Sequence, residues 1–213
     1  SNLWRPSHSA LVNFEVTPSG EILVGYELTR DRLVVDVGNR TDFKGIVRRF
    51  STQGTRLNDI LVYSTTIDPT QAIYPTFAVH AKVAPDGNLS VLYTSPSRNL
   101  LLRKYTLSGS AVSSYSKVTS NSASPNSFFM YDFDILPNGH HVVAWNRSVA
   151  RGKDQSFIQE FDASLKPVGA ISGFDGESDY TYSWQITALS NSRVIVTWEE
   201  NKAATDLKNN NAM

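Results

Sequence analysis

The sequence predicts an all-β fold made of repeated four-stranded antiparallel units, and three observations lead to that prediction. Four segments align without gaps, and each reads as an alternating apolar strand, a tight turn, a second apolar strand and a closing aromatic residue. Gly, Pro, Asn, Asp and Ser punctuate the chain at intervals typical of short strands. No apolar stripe at helical spacing persists along the chain, so a helical fold is disfavoured.

The first two strands of each unit carry the clearest repeat. The aligned segments begin at Phe14, Ala81, Phe133 and Ile186. The turn position holds Gly20, Gly87, Gly139 and Ser192, and it recurs after 67, 52 and 53 residues. The closing aromatic position holds Tyr26, Tyr93, Trp145 and Trp198. These columns predict a β-hairpin at the start of every unit.

A second hairpin follows in three of the units. Its first strand ends on an aromatic residue, and the members of this column are Phe50, Tyr105 and Phe161. Each unit is therefore predicted to contain four strands in about 53 residues. We place the units at residues 10–65, 77–121, 128–175 and 182–200 of a single domain spanning 1–213, with a polar tail at 201–213.

Side-chain alternation predicts which faces are buried. In the first strand of each unit one face is apolar, as in Phe14 and Val16, whereas the other is polar or mixed, as in Asp132 and Asp134. The second strand is apolar on both faces and therefore needs cover on both sides. Radially packed four-stranded blades provide that cover, which a two-layer sandwich does not. The predicted architecture is therefore of the β-propeller type.

Two features depart from a regular propeller. The fourth unit runs into a polar segment after Trp198, so about three and a half units are visible. Either the sheet closes in an unusual way, or the chain is a fragment of a longer protein, and we favour the second interpretation. The first unit carries an insertion between Tyr26 and Phe50, which is interpreted equally well as a longer hairpin or as a functional loop.

Composition excludes several classes of function. The 213 residues include 20 basic and 20 acidic side chains, a balance that argues against a nucleic-acid or anionic-lipid partner. No apolar run is long enough to cross a bilayer, so membrane insertion is not predicted. The absence of cysteine excludes disulfides, thiolate zinc sites and cysteine nucleophiles. Nucleophile-elbow, Walker and dinucleotide-binding motifs are also absent from the sequence.

The repeat columns resemble those of a known group of extracellular bacterial proteins. LPNGHHVVAWN and LSNSRVIVTWE resemble the first part of the tandem units in RTX and hemolysin-type adhesins. FIQEFDASLKPVG resembles the second part, with Phe161, Asp162 and Pro167 among the matching residues. The resemblance covers about 190 residues and implies a secreted or cell-surface, propeller-like interaction or spacer module. The glycine-rich calcium nonapeptides of that class do not occur in this sequence.

Candidate sites are few. Asp175, Glu177 and Asp179 alternate in one segment and form an oxygen cluster that suits calcium, although a solvated acidic loop is the simpler interpretation. No other cofactor is predicted. Asp132 and Asp134 share a strand face and are compatible with paired-carboxylate glycoside hydrolysis, but a polar sheet face explains them more simply.

Histidine and aromatic residues give weaker candidates. His140 and His141 are adjacent in a strand, so they point to opposite faces and are disfavoured as joint metal ligands. Tyr180, Tyr182 and Trp184 suggest a sugar-stacking ladder, but their columns favour packing between sheets.

The leading functional prediction is a non-enzymatic extracellular module that binds glycans or proteins. Its ligand contacts are predicted on rim loops that include residues 36–42 and 175–179. A propeller-type glycoside hydrolase or lyase fragment is the alternative, and a purely structural spacer is the third interpretation.

Overall fold

The computed structural model describes residues 5–6, 13–34, 38–67, 79–95, 99–119, 131–150, 153–174 and 180–201. Strands are the only regular elements in these ranges, which confirms the predicted all-β class. The chain divides into two compact parts, residues 1–121 and residues 122–213. Two antiparallel sheets lie in each part, and each part is described separately below.

The first part, residues 1–121, contains the first and second sheets. The first sheet has the order β1-β3-β4-β5, and β2 also pairs with β3. Its strands are β1 (Arg5–Pro6), β2 (Asn13–Val16), β3 (Ile22–Val34), β4 (Gly38–Phe50) and β5 (Arg56–Ile67). The second sheet follows chain order and consists of β6 (Val79–Val83), β7 (Leu89–Thr94), β8 (Leu100–Tyr105) and β9 (Ser116–Lys117).

The second part, residues 122–213, contains the third and fourth sheets. The third sheet also follows chain order, with β10 (Tyr131–Ile135), β11 (His141–Ala150), β12 (Lys153–Phe161) and β13 (Pro167–Phe174). The fourth sheet pairs β14 (Tyr180–Ala188) with β15 (Val194–Asn201). The four-stranded antiparallel unit predicted from the repeats is thus observed in the second and third sheets, and the first sheet adds β1 to it.

The insertion in the first unit is an extended hairpin. β3 and β4 contain 13 residues each, and they pair without a register shift from Ile22 opposite Phe50 to Val34 opposite Gly38. β5 follows β4 as far as Thr41, and β1 pairs with Leu28 and Thr29 on the other side of β3. We call residues 28–34, 38–44 and 64–67 the overhang, because they continue the first sheet beyond the length of β7 and β8.

One turn geometry recurs through the described residues. Seven hairpin turns of five residues share two backbone hydrogen bonds. The N–H of the first residue donates to the carbonyl of the fifth, and the N–H of the fourth residue donates to the carbonyl of the first. These turns span residues 17–21, 51–55, 84–88, 106–110, 136–140, 162–166 and 189–193. The fourth residue has a φ between +61° and +102° in every case, a region that favours glycine. Gly20, Gly87 and Gly139 hold that place, whereas Ser192 and Leu165 adopt it as non-glycine residues.

The aromatic columns are mostly buried. Tyr26, Tyr93 and Trp145 are each at most 9% exposed, and the third-strand aromatics Tyr105 and Phe161 are each 2% exposed. Phe50, in the same column as Tyr105 and Phe161, is half-buried. Trp198 is 42% exposed, so the cover predicted for both faces of the second strand is incomplete at this residue. Its homologue in the third sheet, Trp145, lies opposite Phe157 of β12 and stacks on it, whereas the described fourth sheet has only two strands.

The apolar face of the first strand has buried residues in the second, third and fourth sheets, whereas it is exposed in the first sheet. Val79 and Ala81 of β6 and Phe133 of β10 are fully buried, as predicted. Phe14 and Val16 of β2 are instead 64% and 54% exposed, so the prediction of a buried apolar face is wrong for this strand. In the second and fourth sheets the first strand packs against the preceding sheet, since Asn13 binds the backbone of β6 and Asp132 binds that of β14. Among the described residues, Phe14 and Val16 have no such cover.

Candidate functional site

Asp132 and Asp134, the predicted carboxylate pair, lie where the third and fourth sheets meet. One carboxylate oxygen of Asp132 accepts a hydrogen bond from the backbone N–H of Ile186 at 3.0 Å. One oxygen of Asp134 accepts from the backbone N–H of Ala188 at 2.7 Å, and the other accepts from Ile135. Asp132 is only 9% exposed, and Ile186 is 3% exposed. The pair therefore fastens β14 to the edge of β10.

The same arrangement recurs between the first and second sheets. Asn13 occupies the repeat column of Asp132, and its side-chain oxygen accepts from the backbone N–H of Ala81 at 3.3 Å. Glu15, in the column of Asp134, forms an ion pair of 3.5 Å with Lys82 of β6. We call this arrangement the seam: polar side chains of one first strand bind the first strand of the next sheet.

The seam explains the carboxylate pair without catalysis. A glycosidase needs two carboxyl groups that face a sugar, one as acid and one as base or nucleophile. Here each carboxylate accepts a backbone N–H from the neighbouring strand, a charge-assisted bond that holds the side chain in one orientation. The geometry supports a structural role for both residues.

The root of the overhang contains a buried carboxylate that sequence reasoning missed. Glu27 of β3 is 1% exposed, and the hydroxyl of Tyr63 donates to it at 2.8 Å. Glu27 and Tyr63 are each in register with Gly45 of the intervening strand. A Cβ on Gly45 would overlap the Tyr63 ring, so the glycine allows the ring to cross β4. A strand glycine opposite an aromatic residue is the signal that could have identified this row.

Tyr63 also joins the first sheet to the second. Its ring stacks on that of Tyr93 of β7, with 5.9 Å between the centroids. Burial raises the pKa of Tyr93 to about 12, because the buried ring environment disfavours the charged phenolate. The Tyr105 hydroxyl donates to the carbonyl of Val62 at 3.4 Å. These tyrosines fix the root of the overhang against the second sheet.

A second polar row lies within the overhang. Asp42 of β4 has a side chain that is only 8% exposed, and it receives Nη2 of Arg30 at 2.7 Å. The hydroxyl of Thr66 on β5 donates to the other oxygen of Asp42 at 2.6 Å. The row joins β3, β4 and β5 in the part of the first sheet by which these strands exceed the length of β7 and β8. The predicted rim segment 36–42 is therefore a paired strand from Gly38 onwards.

An exposed ion-pair row crosses the first sheet nearer to its turns. Arg48 binds both oxygens of Asp59 at 2.8 Å, and Arg56 adds a further bond of 2.8 Å. The hydrogen bond from Arg48 is the main cause that holds the pKa of Asp59 below its usual value. The Arg48 guanidinium also lies 5.3 Å from the centre of the Tyr26 ring, within range of a cation–π interaction.

The structure places the histidines on separate faces. His140 is partly exposed, and its Nδ1 lies 2.7 Å from Glu160 Oε1. His141 is fully buried and stacks on Phe133 at 6.3 Å between ring centroids. Nδ1 of His80 lies 3.4 Å from the side-chain nitrogen of Asn13 in the seam. The arrangement brings none of these three rings into a shared ligand set.

The predicted calcium ligands Asp175, Glu177 and Asp179 lie outside the described residues. In the ranges that the structure describes, no group of three or more His, Asp or Glu residues is arranged to hold a metal ion. Tyr180, Tyr182 and Trp184 belong to β14, but the described part of the structure does not extend to their side chains.

Comparisons with protein-family models and with curated proteins find no match to this chain. Across the described residues, no helix is long and apolar enough to cross a membrane.

Proposed function

We propose that this protein is a non-enzymatic binding module whose sheets form a scaffold and whose overhang contacts the ligand. The overhang carries the proposal. The regular part of the first sheet supplies Asn13 and Glu15 to the seam and Leu23 and Val47 to the core. The overhang instead continues for about 23 Å beyond Glu27, taking the seven residues 28–34 of β3 at about 3.3 Å each. Its own polar row and paired strands make it an ordered extension of the sheet.

Ordered extensions suit recognition because their surface is ordered before binding, which lowers the entropic cost of association. The Arg30, Asp42 and Thr66 row and the Glu27–Tyr63 bond supply that order. The ligand that we propose is a surface glycan or a protein, and the sheets are proposed to be blades of a propeller in a secreted or surface-displayed bacterial protein. This assignment agrees with the resemblance to RTX and hemolysin-type adhesins.

The test is a glycan-array binding assay, with a protein array in parallel, on the whole chain in calcium and again in EDTA. The variant replaces residues 30–42 with Asn-Gly, a dipeptide that favours a two-residue hairpin turn between Thr29 and Phe43. The matched control shortens another hairpin, with Asn-Gly in place of residues 148–154 between the register partners Arg147 and Gln155. Circular dichroism checks that both variants remain folded.

We expect saturable binding by the wild type and the control, and at least a tenfold loss of affinity in the overhang variant. Loss of wild-type binding in EDTA would direct attention to Asp175, Glu177 and Asp179. Equal binding by all three proteins would refute the role of the overhang. Cleavage of an array glycan would instead support the hydrolase alternative, and binding to nothing on either array would support a spacer.

A further inference from the structure

Two faces of the repeat are exposed and complementary in this chain. A seam joins the polar side of one first strand to the apolar side of the next. We call the exposed apolar side the front face and the exposed polar side the back face. The front face is Phe14 and Val16 of β2, which are 64% and 54% exposed. The back face is Gln185 and Thr187 of β14, which are both exposed. In the two seams that the structure describes, the corresponding positions are joined to each other.

The two described seams show the rule by which these faces meet. Asn13 accepts from the N–H of Ala81, and Asp132 accepts from the N–H of Ile186. Asp134, two residues further, accepts from the N–H of Ala188. Both seams therefore follow one rule. The side chain at the column of Asn13 and Asp132 accepts a hydrogen bond from the next sheet's first strand, and the donor is the backbone N–H one column further along.

The exposed faces occupy the same columns. Gln185 holds the place of Asn13 and Asp132, and its amide oxygen is an acceptor of the same kind. Thr187 holds the place of Asp134, and its hydroxyl also accepts. Phe14 holds the place of Ile186, and Val16 holds the place of Ala188. The donors and acceptors of a third seam are thus present, one half on each exposed face.

The backbone of β2 is oriented to complete it. Phe14 pairs with Val24, just as Ala81 pairs with Val91 and Ile186 pairs with Val196. Equivalent pairing directs equivalent N–H groups, because these groups alternate between the two sides of an antiparallel strand. The N–H groups of Ala81 and Ile186 reach side chains outside their own sheets, so the N–H of Phe14 also points away from β3.

We propose that a second copy of this chain docks its back face on the front face of the first. In this head-to-tail contact, the Phe14 N–H donates to the Gln185 amide oxygen of the other copy. The Val16 N–H donates to the Thr187 hydroxyl of that copy. The contact removes the Phe14 and Val16 side chains from water, as the seams do for Ala81 and Ile186. This inference goes beyond the proposed function, because it assigns a partner to residues that do not belong to the overhang.

The contact is heterologous, which separates it from other modes of self-association. Within the described residues each copy offers one exposed face of each kind, so a copy with a blocked front face keeps a working back face. Sedimentation velocity over a wide concentration range measures the association. Phe14→Asp blocks the front face, and Gln185→Lys blocks the back face by removing the acceptor. Leu57→Asp is the control, since Leu57 of β5 is 46% exposed and lies outside both faces.

We expect association of the wild type and of Leu57→Asp to rise with concentration. Each blocked variant alone should associate at least tenfold more weakly. An equimolar mixture of the two should form a heterodimer and nothing larger, because only one intact front face and one intact back face meet.

A wild type that stays monomeric throughout would overturn the proposal, and so would a mixture that fails to associate. Loss of association in Phe14→Asp but not in Gln185→Lys would also overturn it, since that pattern indicates a front-to-front contact. If circular dichroism shows that either variant is unfolded, Val16→Ser and Thr187→Val replace them with smaller changes and the same expected outcomes.

Discussion

Trp145 and Trp198 occupy the same repeat column, yet their burial differs, so the same substitution should have unequal effects. A tryptophan side chain has on the order of 200 Å² to bury, and at about 25 cal/mol per Å² complete burial contributes about 5 kcal/mol. Trp145 is 3% exposed and stacks on Phe157 at 5.6 Å between ring centroids. Trp198 is 42% exposed.

Trp145→Ala should therefore lower the free energy of unfolding by about 4 kcal/mol, because it removes nearly all of that burial and leaves a closed cavity. Trp198→Ala removes little more than half of it, and the vacated space opens to solvent, so we expect a loss of about 2 kcal/mol. Both residues lie in the part of the chain from 122 to 213, so each substitution perturbs the same compact part.

Urea unfolding measures the difference. It is followed by far-ultraviolet circular dichroism, because tryptophan fluorescence changes with the substitution itself. Equal losses of unfolding free energy in the two variants, or a larger loss at Trp198, would refute the argument. That result would mean that cover by the third strand does not determine how much the aromatic residue contributes to stability. A change in the slope with urea, without a change in midpoint, would signal an altered unfolded state.

Three further predictions concern single side chains. Asp132→Ala leaves the buried N–H of Ile186 without its acceptor and should destabilise the protein by about 1–3 kcal/mol, whereas Asp132→Asn keeps an acceptor and should lose less; thermal unfolding compares the two. Ser192→Gly relieves a φ of +61° and should raise stability by about 1 kcal/mol, so a lower melting temperature would contradict the turn argument. Asp59→Asn should cost less than about 1 kcal/mol at neutral pH, as surface ion pairs do. Because Arg48 lowers the pKa of Asp59, this contribution is present above the ordinary aspartate pKa of about 4 and is lost as the pH falls below it, where wild type and variant should converge in urea midpoint.

The strands and turns could be predicted because their causes are local. A glycine such as Gly139 at a position of positive φ, between two runs of alternating apolar residues, specifies a hairpin without reference to the rest of the chain. For the insertion, the sequence leaves both a longer hairpin and a functional loop open, because the apolar pattern at Leu33 and Val34 does not by itself fix a partner strand. The repeat also predicted β7 and β11 correctly as strands covered on both faces, since all of β7 and residues 141–146 of β11 are buried.

Burial in the outermost strands could not be predicted, because a repeat carries the same residues wherever it stands. Phe14 has the apolar pattern of Phe133, yet its exposure depends on whether another sheet lies over it. Trp198 and Trp145 likewise share a repeat column, yet their burial differs because their neighbours differ. A position in the repeat has the residue type that suits most of the units. It does not indicate whether a neighbouring sheet covers that position in one particular unit.

The seam and the overhang root escaped prediction for a different reason. Asp132 accepts from a backbone N–H. Because almost every residue has this group, the sequence does not indicate which one is the partner. Glu27 and Tyr63 meet only because Gly45 lies between them in a register set by three strands. Sequence analysis identified the polar face and the paired carboxylates, but their partners required the pairing of strands.

The order of the strands has a consequence for the rate of folding. Apart from the pairing of β1 with β3, every strand in the four sheets pairs with its neighbour in sequence. Closing a short hairpin loop sacrifices little chain entropy, so each sheet can assemble from its own hairpins before any distant segment arrives. We therefore expect the chain to acquire structure sheet by sheet as it leaves the ribosome. An error in one sheet would then stay local, because the other sheets do not need its strands to complete their own pairing.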